Sequence, residues 1–342
     1  MPAQASPSTP GNEQRAKRRQ WIQAAVKFAI SACLLWLVFQ RFHYHDLRAE
    51  VARTRVQALV LPFAIVFASN LLGALQWGRL VRAAGLAVAW SRLLAVYFAG
   101  LFFNNFGIGN VGGDVYKIYW LGRTSGAMGR VAGATIVDRV VGAAALCVLA
   151  LVAATAGLWH GDVPGLLAAL VLIFACGTLA AAGVILHPRV GRQLEVWLQS
   201  LPLGGSGARL LRLLGYLQEY RQRVGLLHGV FLLSLCIQAA RVLAHFCVGV
   251  AMGWNVQAGD LSKFFLVIPV LGLLIVLPIS IGGWGVREWA GVALFTPLGR
   301  SGAEAVTLLA LTALLTFAVS LLGGLVVLGG SVPWPGRTRA AS

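Results

Sequence analysis

An all-α integral membrane protein that crosses the bilayer seven or eight times is the fold class this sequence predicts. Three observations carry it. Of 342 residues, 58% are hydrophobic and only 11% charged, where a soluble domain carries about a quarter charged residues. The mean hydropathy is +0.78. The apolar residues come in runs of about 20, the length that crosses a hydrocarbon core of roughly 30 Å. A soluble enzyme of one or two domains is excluded by that pattern.

The elements follow in order. Residues 1–20 read as a polar, basic cytoplasmic segment in which Arg15, Lys17, Arg18 and Arg19 precede an apolar run from Trp21 to Gln40. That run is too long for the core of a cleaved signal peptide and has no small-residue cleavage site before Arg41, so it predicts an uncleaved first span. Further spans are expected at 56–75, 133–157, 164–186, 226–250, 263–281 and 304–328. Two segments fit less well. Residues 93–121 are interrupted by Asn104, Asn105 and the stretch Gly107 to Gly113, and residues 286–299 are only 14 long and contain Pro297. Both are expected to be re-entrant or discontinuous Gly-rich helices, because irregular backbone at membrane depth is tolerated only against protein or a water-filled cavity. The stretch 187–225 intersperses Leu194, Trp197, Leu198 and Leu201 with arginines and reads as an amphipathic cytoplasmic loop. The transmembrane domain then runs from 21 to 330, with a short tail at 331–342.

Charge sets the orientation and narrows the partners. The net charge is +17, but the basic residues form short clusters between apolar runs instead of a stripe, so they fit topology and anionic headgroups and not nucleic acid. Most lie on the side of the N-terminus, which is therefore expected inside the cytoplasmic membrane. Arg41, Arg48, Arg53 and Arg55, then Lys263, with Arg337 and Arg339 of the tail, fall on the other side; an extra span at 286–299 would bring the tail back inside. Cys33, Cys147, Cys176, Cys236 and Cys247 sit in apolar runs without CxxC spacing and read as packing thiols. His43, His45 and Asp46 read as a solvated loop, and neither a metal nor a cofactor is expected. No GxxxxGK[ST], GxSxG or HExxH occurs, so neither ATP-driven pumping nor an enzyme is expected.

Two constellations carry the chemistry. The first runs from Asn104 and Asn105 through Gly112, Gly113 and Asp114 to Lys117. Glycines let the backbone approach a ligand, and the N-terminus of a following helix presents N–H groups to an anion such as phosphate. Asp114 opposes that reading unless it pairs with Lys117 or a distant arginine; the alternative is a glycine hinge with an Asp cap. The second comprises Gly282, Gly283, Arg287 and Glu288. It follows the first by about half the chain length, and glycine-interrupted segments at matching places in two halves point to a transporter site between two pseudo-repeats. Ionisable residues inside spans come next: Asp138 and Arg139, then Arg241, which shares a helix face with Gln238 and His245. That face lines a polar pathway, or else Arg241 is buried against Asp138 or Glu288 as a bundle clamp.

The first motif, with Asp138, Arg139 and Gly142 after it, and the second, LPISIGGWGVRE, resemble the membrane region of lysylphosphatidylglycerol synthases, the flippase-like family. The resemblance covers about residues 21–330. In that family the membrane region is thought to move an aminoacylated phospholipid between leaflets, while a separate soluble domain attaches the amino acid. The resemblance therefore implies a lipid flippase-like transporter of phospholipid or lipid-linked intermediates, without the synthase activity, which needs a further domain. The family commonly has a Pro-containing turn before its first Gly-Gly, where this sequence reads Phe106 to Val111. Lys117, Arg139, Arg241 and Arg287 would hold phosphate, with Asp114, Asp138 and Glu288 as counter-charges. The expected partners are membrane lipids: an anionic or aminoacylated phospholipid, or a lipid-linked glycan. Two alternatives stand beside it: a non-enzymatic partner of a membrane lipid or envelope-glycan biosynthetic complex, and an intramembrane transferase using Asp138 or His245 as base.

Overall fold

The computed structural model describes residues 44–106, 111–158, 164–201, 205–255, 258–276 and 285–330. The expected first span at 21–40, the basic N-terminal segment, the tail, and Gly282 and Gly283 lie outside the described residues. Among the described residues there is no strand. The helices are α1 Tyr44–Arg53, α2 Val60–Ala83, α3 Trp90–Phe106, α4 Gly112–Ser125, α5 Met128–Leu158 and α6 Gly165–Leu186. They continue with α7 Pro188–Ser200, α8 Gly205–Glu219, α9 Val224–Ala251, α10 Ala258–Val276, α11 Val286–Phe295 and α12 Gly302–Leu328. The sequence marks several of these ends. Ser301 and Glu304 exchange side-chain-to-backbone hydrogen bonds, of 3.1 Å from Glu304 N and 2.8 Å from Ser301 N, a capping box that starts α12. Pro188 opens α7, where its missing N–H leaves no bond unmade.

Among the described residues, five helices are long and apolar enough to cross a membrane: Val56–Ala83, Met128–Ala156, Gly165–Leu186, Val224–Ala251 and Gly302–Leu328. They match five of the expected spans. The run expected at 263–281 is α10 as far as Val276, with Pro269 inside the helix. The polar loop expected after the first span is helical from Tyr44 onward, and the stretch 187–225 is folded into α7 and α8. On α7, Val196 and Trp197 are exposed at 61% and 57%.

Segment 93–121 is two helices, not one. With 17 and 14 residues, α3 and α4 are about 25 and 21 Å long at 1.5 Å per residue, short of a hydrocarbon core. They run antiparallel: Asn104 meets Gly113, the Phe103 ring stacks on Tyr116 at 4.4 Å, and Lys117 lies over Tyr97. The hairpin closes tightly because a Cβ on Gly113 would overlap the Gly100 carbonyl.

The helices pack as two units of the same pattern. In the first, α2 packs on α3 and α5, α3 on α4, and α4 on α5; in the second, α9 packs on α10 and α12, α10 on α11, and α11 on α12. Between the units, α3 on α12 matches α10 on α5, and α2 on α12 matches α9 on α5, while α2 and α9 pack on each other. Exchanging α2–α5 for α9–α12 maps each of these contacts onto another. The second unit runs the opposite way, since Arg55 N donates to Ala251 O at 2.8 Å and Tyr220 Oη donates to Leu80 O at 2.8 Å. The start of α2 therefore lies by the end of α9, and the reverse. The pseudo-repeats expected from the two glycine motifs are an inverted pair, with α6, α7 and α8 outside them.

Candidate functional site

A cavity of about 420 Å³ opens where the two units meet, and it is lined by all eight of their helices and by none of α6, α7 or α8. Its wall mixes apolar and polar side chains. Lys117, Arg139, Arg241 and Arg287 all reach it, together with Asp138 and His245.

The first motif is spent mostly on itself. Asn104 lines the cavity, and its Oδ1 accepts the Gly113 N–H at 2.6 Å, so that amide of the first turn of α4 is already engaged. Asn105 turns to α12 instead: its Nδ2 donates to Leu101 O at 3.0 Å and to Ser320 Oγ at 2.7 Å, and it is absent from the cavity wall. Gly112 starts α4, and Gly113 supplies the close approach to α3. Asp114, 6% exposed, pairs with both cations proposed for it, Lys117 Nζ at 2.8 Å and Arg139 Nε at 2.6 Å. Lys117 is equally buried, and its ammonium lies 5.2 and 5.1 Å from the ring centroids of Trp77 and Tyr97, an arrangement favoured by the negative faces of the rings. The Arg139 side chain is 41% exposed while tied to Asp114, and it lines the cavity.

The described part of the second motif repeats this logic. Arg287 reaches the cavity and donates through Nε, at 2.9 Å, and Nη2 to Glu288 Oε1. Glu288, 4% exposed, also accepts the Gly285 N–H at 2.7 Å, which fixes the start of α11. Gly285 has φ +81°, a conformation that excludes a side chain at little cost only for glycine. Lys117 and Arg287 each stand five residues after the first glycine of their Gly-Gly pair, and each is paired to a buried carboxylate that does not itself line the cavity.

Gln238, Arg241 and His245 all line the cavity, as their spacing predicts. The clamp expected between Arg241 and Asp138 or Glu288 is not formed. Glu288 is committed to Arg287 and Gly285, and Asp138 to Gln76, whose Nε2 donates to Oδ1 at 2.8 Å. Arg241 is left with a hydrogen bond to Gln238 Oε1 at 3.4 Å and no ion pair among the described residues. His245 Nδ1 meets the Arg241 carbonyl at 2.8 Å. Among the described residues no group of three metal-ligating side chains occurs. Sequence reasoning missed Asn70, Gln76 and Tyr97, which also line the wall. A signal existed for the first two, polar groups in or just after an apolar span, since such groups face the interior of a bundle.

These residues fall inside a match to the family described as "Lysylphosphatidylglycerol synthase TM region", which covers residues 24–324. The chain belongs to that family. It is a multi-pass membrane protein, and the lysylphosphatidylglycerol synthase TM-region match includes both Gly-Gly motifs and the whole cavity wall. A second comparison agrees at longer range. The chain is 23% identical over 305 residues to a UPF0104 membrane protein of Pyrococcus horikoshii, over 81% of this chain and 88% of that one. The family name ties this TM region to membrane lipid.

Proposed function

We propose that this protein is a lipid flippase-like transporter that passes a phosphate-bearing headgroup through the cavity while the acyl chains stay in the bilayer. The observation that carries this is Arg241, a cation on the cavity wall without a carboxylate among the described residues, in a site whose other cations are each neutralised. A volume of about 420 Å³ suits a headgroup and not a whole diacyl lipid. An inverted repeat with the site at its interface is the architecture in which one unit rocks against the other to open either face. In this reading Arg241 binds the phosphate first, and Lys117, Arg139 and Arg287 follow as their ion pairs loosen. Side chains do the holding, because the Gly113 amide is taken by Asn104. The site is a passage and not a catalyst, and the cytoplasmic membrane with the N-terminus inside is its setting.

The test is movement of acyl-labelled phosphatidylglycerol between leaflets of liposomes holding the purified protein. Loss of one charged hydrogen-bonding partner, of about 1.5–3 kcal/mol, predicts a 10- to 100-fold slower rate for Arg241→Gln. An undiminished rate in a folded Arg241→Gln protein would sink the assignment.

The reading as a partner of a lipid or envelope-glycan biosynthetic complex draws on one observation, the exposed Val196 and Trp197 of α7. A Trp197→Ser protein that moves lipid normally in liposomes but fails in cells would favour it.

A further inference from the structure

We infer that Asp138 and Gln76 form a proton-binding site in the cavity wall, and that headgroup movement is coupled to the proton held there. The coupling rests on the transport reading above, whereas the proton site does not.

Gln76 is 4% exposed and lines the cavity. Its Nε2 donates to Asp138 Oδ1 at 2.8 Å, but its Oε1, fully buried, finds no donor among the described residues. Turning the amide over does not help, because Oε1 would then face a carboxylate oxygen and Nε2 would be stranded instead. A proton on the second oxygen of Asp138 resolves both problems. The carboxyl O–H then donates to Gln76 Oε1 while Gln76 Nε2 still donates to Oδ1, and the two groups close as a cyclic acid–amide pair with every polar atom used. A buried acceptor without a donor is rare enough in folded proteins to need such a cause.

Asp138 differs in this from the other carboxylates of the site. Asp114 holds two cations and Glu288 holds Arg287, whereas Asp138 makes no ion pair among the described residues. The groups that face it are Tyr97 of α3, Asp114 and Lys117 of α4, its neighbour Arg139, and, across the cavity, Arg241 and His245 of α9 and Arg287 of α11.

Coupling follows from charge. With Asp138 ionised, its carboxylate repels an entering phosphate and offsets Arg241. With a proton bound, the cavity gains one positive charge and the repulsion is gone. Proton and anionic headgroup therefore enter together and leave together, one proton taken from one side and released on the other, with no other bond made or broken.

Two measurements on the full chain test this. Infrared difference spectra between acidic and alkaline buffer should contain a protonated-carboxyl band that Asp138→Asn removes and Gln76→Leu shifts. Asn at 138 still pairs with Gln76, so that variant keeps the packing. In liposomes, a pH gradient should speed acyl-labelled phosphatidylglycerol at least several-fold toward the alkaline side in wild type, and the ratio of the rates with and without the gradient, taken within each protein, should fall to one in Asp138→Asn. A spectrum that Asp138→Asn leaves unchanged would overturn the proton site. A band without any response to the gradient would overturn the coupling. Wild-type protein that moves no lipid would remove the transport reading and the coupling with it, while the band would still decide the site.

Discussion

Asp114 joins two cations that come from different helices, Lys117 on its own helix and Arg139 on the next. Removing one partner of a buried ion pair leaves the others unpaired at a cost of about 3–5 kcal/mol. Asp114→Ala is therefore expected to lower stability by that amount, read as a depressed midpoint of thermal unfolding in detergent. Adding Lys117→Met should restore part of the loss, because one stranded charge goes with it. How far this was legible varies by residue. The contact with Lys117 follows from a spacing of three residues on one helix, and the sequence predicts it. The contact with Arg139 depends on how α4 docks on α5, which no local pattern encodes. For the same reason the expected Arg241 clamp failed: the carboxylates within reach of α9 were already satisfied by Gln76, Gly285 and Arg287.

At the scale of elements, glycines decide which helices touch. A Cβ on Gly323 of α12 would overlap the Phe98 carbonyl of α3, and one on Gly324 would come within 2.8 Å of the Phe102 ring. Small residues let backbones approach inside a membrane, where little hydrophobic force drives helices together. Gly323→Val is expected to cost about 1–3 kcal/mol through overpacking, visible as a lowered unfolding midpoint, while Gly177→Val, whose added carbon meets nothing within 4 Å, should leave it unchanged. Asn105 belongs to the same contact through Ser320. From the sequence it reads as a ligand residue because it neighbours Asn104 in a glycine-rich stretch, yet helical rotation by one residue turns it to α12 instead of the cavity.

For the whole molecule, the antiparallel packing of α2 and α9 sets the two units in opposite directions across the membrane. The turn after α2 and the turn after α9 then lie on opposite faces. A cysteine placed at Ala87 and another placed at Asn255, both exposed positions, should react with a membrane-impermeant maleimide from opposite sides of sealed vesicles, in a background without the native cysteines. Labelling of both from one side would contradict the inverted arrangement.

Hydropathy by itself determined the membrane class, five of the spans and the interruption between α3 and α4, since the hydrocarbon core selects length and apolarity one segment at a time. Glycine motifs half a chain apart likewise announced two related units. Only the tertiary structure decided which charges neutralise one another, that Arg241 and Asp138 face the cavity without ionic partners among the described residues, and that Gln76 holds Asp138. Those outcomes depend on contacts between helices far apart in sequence, where the energy of a buried charge is set by whichever group the packing brings beside it.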